Sequence, residues 1–457
     1  MTERVKNGLL AAAVLLLVAG GMGRIETLVD AAIFAAVVAT IAQWDRLPRM
    51  PRIFVSTALI VGPVAAMAFP RAIPELKTAL AQGVAFAVLL STIGMMRQAV
   101  RRSVVAAGAA AYLVSVPGRG RYAAIAIGSH FLSLLFNVGI IALIGEMLRG
   151  DRGRMSEPTH RHLLLAGMRG TVLMTVWSPM GLGFAIVTTG IVGLDPVRFL
   201  ILSFLAATLI LGITCFVFGD PRDEPDETAE PAPAPADPRR RSARPVLALL
   251  GVGALLLAAT VLLHETLGAS FTVATAAVIP VFALAWLAIE PVDDGRRHVD
   301  HLGGMFAGLS DLRGESAIFL SANVIGAAIS VALRAQPFWS ALDTAGWPDW
   351  WTLAGCLLVL PIAGALMIPH SIFVVLIVQL FGHGAVAVGH PMSMALALTL
   401  GWAMAIAVSP ISAMSLITGH LSGVPSHVVG FSWNARFVST LLVLSAGLVA
   451  LAYRLGW

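Results

Sequence analysis

Apolar runs of near-membrane length dominate the chain, separated by short polar joints. In the first half they fall at about 8–24, 28–44, 53–69, 78–97, 103–116, 122–147, 162–178, 181–193 and 197–219. They resume at about 246–263, 271–289, 303–334, 350–368, 370–382, 391–408, 411–424 and 437–455. A helix needs roughly 20 apolar residues to cross a bilayer, so the pattern predicts roughly ten to twelve crossings or part-crossings. The first run follows Arg4 and Lys6, as a leader would, but a second run begins at once without a clear cleavage site; we read it as a first membrane helix. The expected fold is an all-α polytopic membrane protein in two structural repeats, with re-entrant hairpins and broken helices.

Two of the runs carry the same internal interruption. One reads Trp177-Ser178-Pro179-Met180-Gly181 and the other Val408-Ser409-Pro410-Ile411-Ser412. Their serines lie 231 residues apart, and each break leads to a short apolar run that ends in Thr-Gly. An earlier pair of polar breaks, Ser91-Thr92 and Ser321-Ala322-Asn323, recurs at an offset of 230 residues. Polar interruptions recurring in matched positions of two halves point to a transport site. The expected organisation is a first transmembrane repeat over 1–219, a polar linker over 220–245 and a second repeat over 246–457. The linker runs from acidic through Pro/Ala-rich to basic, too polar to span or pack.

Composition agrees. Of 457 residues, 58% are hydrophobic and 12% charged, against about 25% charged in soluble domains; the mean hydropathy is +0.87. The net charge of +5 gathers in short loops: Arg46, Arg49 and Arg52, then Arg149, Arg152, Arg154 and Arg161, then Arg239 to Arg244. By the positive-inside rule these loops, the linker and the N-terminus are cytoplasmic in a cell inner membrane. That gives the first half an even number of crossings and leaves strict inversion of the repeats open. No basic stretch interleaved with aromatics suggests nucleic acid. Cys215 and Cys356 sit in apolar runs and read as packing residues. Neither a His-Glu-x-x-His nor a Gly-x-Ser-x-Gly pattern supports an integral-membrane enzyme, and there is no P-loop for an ATP-driven pump.

The breaks suggest a chemistry. Proline removes a backbone donor and interrupts a helix, and the half-helix beyond it points the positive end of its dipole inward. Ser178, Thr188, Thr189, Ser409, Ser412 and Thr418 add hydroxyls, and Gly181 allows close backbone approach; Pro179 and Pro410 make the breaks. Ser91, Thr92, Ser321 and Asn323 read either as hairpin tips or as small polar residues packing helix on helix. His130, Asn137, His370 and Asp311 are ion-coupling candidates, since ionisable or polar groups at membrane depth are costly to keep. Arg169 either meets an anionic substrate or snorkels to the surface. Trp339, Trp347, Trp350 and Trp351 read as an interfacial belt.

Leu320-Ser321-Ala322-Asn323-Val324-Ile325-Gly326 resembles the hairpin motif of the ion transporter superfamily. That group includes divalent-anion/sodium symporters, arsenite exporters and citrate carriers. The resemblance implies hairpin tips that bind a coupling cation and a substrate carboxylate. It also implies an unwound stretch in the following helix, to which the two Ser-Pro breaks are similar. The full Ser-Asn-Thr motif is absent from both halves, so Na+ and H+ coupling are both open. The expectation is a secondary carrier of a small anion by alternating access, with no cofactor beyond H+ or Na+, with the bilayer as partner and a homodimer as a compatible assembly. The alternatives are an integral-membrane enzyme and a carrier of an uncharged or lipophilic substrate.

Overall fold

The computed structural model describes residues 2–100, 103–118, 120–150, 155–219, 242–289, 298–339 and 348–457. Trp347, Arg152, Arg154 and linker residues 220–241 lie outside them. Among the described residues the regular structure is helical throughout, and nine helical stretches are long and apolar enough to cross a membrane.

The first half begins with α1 (Glu3–Gly23), α2 (Glu26–Ala42), α3 (Arg49–Ala68) and α4 (Ile73–Val100). It continues with α5 (Val104–Ser115), α6 (Gly120–Phe136) and α7 (Gly139–Gly150), then α8 (Glu157–Met174), α9 (Leu182–Gly190) and α10 (Pro196–Phe218). The second half holds α11 (Arg244–Leu267), α12 (Phe271–Ile289), α13 (His298–Ala307) and α14 (Arg313–Arg334). Then come α15 (Asp349–Ala365), α16 (His370–Phe381), the single turn α17 (Ala385–Gly389), α18 (Pro391–Val408), α19 (Ala413–Ser422) and α20 (Ala435–Arg454). Local chemistry sets several starts. Ser103 accepts from the Ala106 N–H, and Asp195 accepts from the N–H groups of Val197 and Arg198. These side chains satisfy donors that a first helical turn leaves orphaned.

The Ser91-Thr92 and Ser321-Ala322-Asn323 stretches are not hairpin tips. Both lie inside uninterrupted helices, α4 and α14. The Ser91 hydroxyl donates to the Ala87 carbonyl at 2.9 Å, the Thr92 hydroxyl to Leu89 at 2.8 Å, and the Asn323 amide to Phe319 at 2.8 Å. Bonding back to the preceding turn lets such residues sit in an apolar helix without breaking it. α4 and α14 press together there: a Cβ on Gly83 would stand 2.8 Å from the Leu320 carbonyl oxygen. The helix-packing reading accounts for these residues.

The hairpins lie elsewhere. The stretch read as one span over 122–147 is two helices, α6 and α7, joined at Asn137, whose φ is +49°. A Cβ on Gly167 of α8 would touch both Ser129 Oγ of α6, at 3.4 Å, and Ile144 Cδ1 of α7, at 3.7 Å. α7 therefore doubles back beside α6. The second hairpin is α15 and α16, turning at Met367, with φ +57°. There the Ile368 N–H donates to the Ala363 carbonyl and the Met367 N–H to Gly364, closing the end of α15 with a left-handed residue. Each return helix has 12 residues, about 18 Å of rise against a hydrocarbon core of about 30 Å. A helix that short does not cross, so each turn is set within the membrane.

The two Ser-Pro breaks fall where the sequence places them, between α8 and α9 and between α18 and α19. The halves dock reciprocally. The return helix α16 of the second hairpin packs on α9, where the Val192 N–H donates to the Gly382 carbonyl at 2.9 Å. The return helix α7 of the first hairpin packs on α19, where Gly145 gives room to Leu421.

Candidate functional site

Both hairpin turns and both helix breaks open onto one cavity of about 360 Å3. The first turn contributes Phe136, Asn137 and Val138, and the second Pro369, His370 and Ser371. The breaks contribute Thr175, Met180 and Gly181 on one side and Ile411, Ser412 and Ala413 on the other. The walls are Ile93, Met96 and Arg97 of α4, Glu315 and Phe319 of α14, Ile279 of α12 and Trp402 of α18. His370 meets the edge of Trp402 with ring centroids 5.0 Å apart.

Three helices begin at the cavity: α9 at Leu182, α16 at His370 and α19 at Ala413. Each presents N–H groups and the positive end of a helix dipole. In the first break, the Gly181 N–H donates to the Ser178 carbonyl at 2.8 Å and the Met180 N–H to the Ser178 hydroxyl at 3.2 Å. Ser178 thus builds the turn that brings Gly181 to the wall. Ser412 accepts from the Ser415 N–H at 3.1 Å and caps α19. Ser409 and Thr418 are fully buried, and neither hydroxyl has a hydrogen-bond partner among the described residues.

Arg97 was not singled out from sequence, whereas Glu315 belongs to the Asp311-Arg313-Glu315 cluster, which reads from sequence as a gate network, a cation site or a solvated loop. Each is exposed and lines the cavity, and neither makes an ion pair with a described residue. The signal was present in helical spacing. Leu90, Ile93 and Arg97 share one face of α4, and Glu315 and Phe319 share one face of α14. It is legible only once both helices are known to run unbroken past Ser91 and Ser321.

Other predicted residues sit away from the cavity. The hydroxyls of Thr188 and Thr189 donate to the carbonyls of Phe184, at 2.8 Å, and Ala185, at 2.7 Å. Asn323 joins an interhelical network in which the Gln379 amide donates to Asn323 Oδ1, at 3.3 Å, and to Gln82 Oε1, at 3.1 Å; Gln82 in turn donates to the Thr189 carbonyl. The network ties α4, α9, α14 and α16 together. Asp311 accepts from Gln98 at 2.5 Å, also outside the cavity. Among the described residues no group of three His, Cys, Asp or Glu side chains is placed to hold a metal.

His130 is held at both nitrogens. Its Nδ1 donates to the Gly170 carbonyl at 3.1 Å, and its Nε2 accepts from Trp177 Nε1 at 2.9 Å. This pairing fixes the neutral tautomer and fastens α6 to α8. His130→Gln is therefore expected to lower the melting temperature of the purified protein and to leave the pH profile of uptake unchanged. A flattened profile would restore the proton-carrier reading.

Among the described residues the fold is that of an all-helical polytopic membrane protein whose broken helices and hairpin turns meet at one cavity. The solved structure that carries this comparison is the crystal structure of the Alcanivorax borkumensis YdaH transporter, described as having an unusual topology. It matches with a TM-score of 0.55 and 13% identity, over 90% of this chain and 99% of that one. The likeness is one of fold. No known protein family's profile matches the sequence, and no curated protein matches it.

Proposed function

We propose that this chain is a secondary active transporter of a small anion, a carboxylate or sulfonate, coupled to H+ or Na+ and of the ion transporter superfamily type. The observation that carries the reading is the convergence of three helix N-termini and of Arg97, which has no ion pair with a described residue, on one cavity. Backbone N–H groups and helix dipoles favour an anion without burying a counter-charge, and a guanidinium adds a forked, charge-assisted contact. Ile93, Phe319 and Trp402 would hold an apolar substrate body. Asn137 and His370 at the turns and Glu315 on the wall are the groups on which coupling would act. Alternating access would move the hairpins and breaks against the α4 and α14 wall. We place the protein in a cell inner membrane with a cytoplasmic linker, and a homodimer is the assembly we expect.

The apolar share of the lining also fits a second reading, a carrier of a lipophilic neutral compound. Uptake in proteoliposomes tests both. A panel of carboxylates, sulfonates, inorganic oxyanions and neutral aromatic compounds is offered under an imposed H+ gradient or an imposed Na+ gradient. Anion accumulation under one gradient supports the proposal and names the ion. Flux of neutral compounds alone overturns it.

The two serines of the breaks should behave differently. Ser178→Ala removes the acceptor of the Met180 N–H, at a cost of about 1 kcal/mol, with weaker transport following from a loosened turn. Ser409→Ala removes a hydroxyl with no protein partner, so stability should hold while transport falls. Equal loss of melting temperature in the two variants would show that Ser409 is also structural.

A further inference from the structure

A second cationic feature lies outside the cavity, where α8, the end of α10 and the start of α20 meet. Arg169 of α8 is only 4% exposed, yet its partners are all neutral. It donates to Tyr122 Oη at 3.1 Å, Asn434 Oδ1 at 3.3 Å and the Trp433 carbonyl at 3.2 Å. Its guanidinium lies over the rings of Phe218, 4.5 Å from the centroid, and Phe437, 5.3 Å. It is not among the residues lining the cavity, and it is enclosed rather than extended to the surface, so the snorkelling reading does not hold.

Two exposed arginines share the same aromatic shelf. Arg436, in the first turn of α20, stands 5.5 Å from the Phe218 ring, and Arg161, in the first turns of α8, stands 4.5 Å from Trp433. None of the three forms an ion pair with a described residue. The position is an end of the bundle, where α10 finishes at Phe218 and α20 starts at Ala435. Three cations gathered without an ion pair to a described acid repel one another, and the arrangement is complementary to an anion seated above them. The buried Arg169 holds the shelf in place, and the start of α20 adds its dipole. Guanidinium forks match the oxygens of a phosphate, and basic pockets at the ends of membrane helices suit anionic headgroups.

We propose that Arg161 and Arg436, backed by Arg169, bind the phosphate of an anionic headgroup at this end of the bundle. The site is independent of the transport reading. The test uses the full chain purified in detergent, with native mass spectrometry and thermal unfolding in the presence of phosphatidylglycerol, phosphatidylcholine or inorganic phosphate. Phosphatidylglycerol is expected to be retained and to stabilise the fold, with phosphatidylcholine much weaker. The double variant Arg161→Gln/Arg436→Gln is expected to bind phosphatidylglycerol about 30-fold more weakly. The double lysine variant should keep most of the binding, which separates loss of charge from loss of packing. Competition by inorganic phosphate would show that the phosphate group itself is read; binding of phosphatidylglycerol without such competition would mark a lipid site. Equal binding of the two lipids, or full retention of phosphatidylglycerol by the glutamine double variant, would overturn the proposal.

Discussion

In Arg97→Gln, uptake of the proposed anionic substrate is expected to fall by one to two orders of magnitude, with insertion and melting temperature unchanged. Arg97 lines the cavity and makes no hydrogen bond or ion pair with a described residue, so its replacement should leave the fold intact. A hydrogen bond to a charged group contributes about 1.5–3 kcal/mol, which is roughly 10- to 150-fold in an equilibrium constant. The loss should appear chiefly as a raised KM for anions. Arg97→Lys should recover part of it, keeping the charge without the fork. An unaltered KM in Arg97→Gln would remove this residue from substrate recognition and leave the helix N-termini as the sole anion-binding feature.

The largest structural effect is expected from Gly170→Val. This glycine lets α8 lie directly against the Ala126 carbonyl of α6, and its own carbonyl accepts from His130. A Cβ there would meet backbone, which cannot step aside as a flexible side chain does. Overpacking of a close contact costs about 1–3 kcal/mol and at times more, and here the loss of the His130 bond adds to it. We expect little folded protein in detergent and a sharply lowered melting temperature in whatever is recovered. Gly212→Ala and Gly447→Ala, which have open space at the Cβ position, are the controls and should melt within a degree or two of the parent. A Gly170→Val protein that melts normally would mean that the first hairpin is not fastened through α8.

How far the fold is legible in sequence depends on whether backbone or side chain makes each feature. Pro179 and Pro410 announce the breaks because a missing N–H is written in the residue type. The hairpin turns are hidden because they rest on Asn137 and Met367 with positive φ, a conformation that a non-glycine residue adopts under tertiary pressure. An asparagine in an apolar run reads as a buried polar group, and a methionine gives no sign at all. The Ser91 and Ser321 stretches mislead for the converse reason. Their polar atoms are visible in sequence, while the helical carbonyls that Ser91, Thr92 and Asn323 bond to are not. Of the cavity lining, the helix breaks with Ser412 and Gly181 were legible, as were Asn137 and His370, although these last were read as lying within spans. Arg97 needed the knowledge that α4 continues.

The crossed docking of the return helices bears on how the protein is made. α7 rests on α19, and α16 rests on α9. When a ribosome has finished α7, the surface that will hold it is still more than 250 residues from being synthesised. The first hairpin must therefore wait with the end of its return helix uncovered, and neither half alone can complete the cavity. Separately expressed halves should each insert and neither transport, and activity should return only when both are produced in the same membrane.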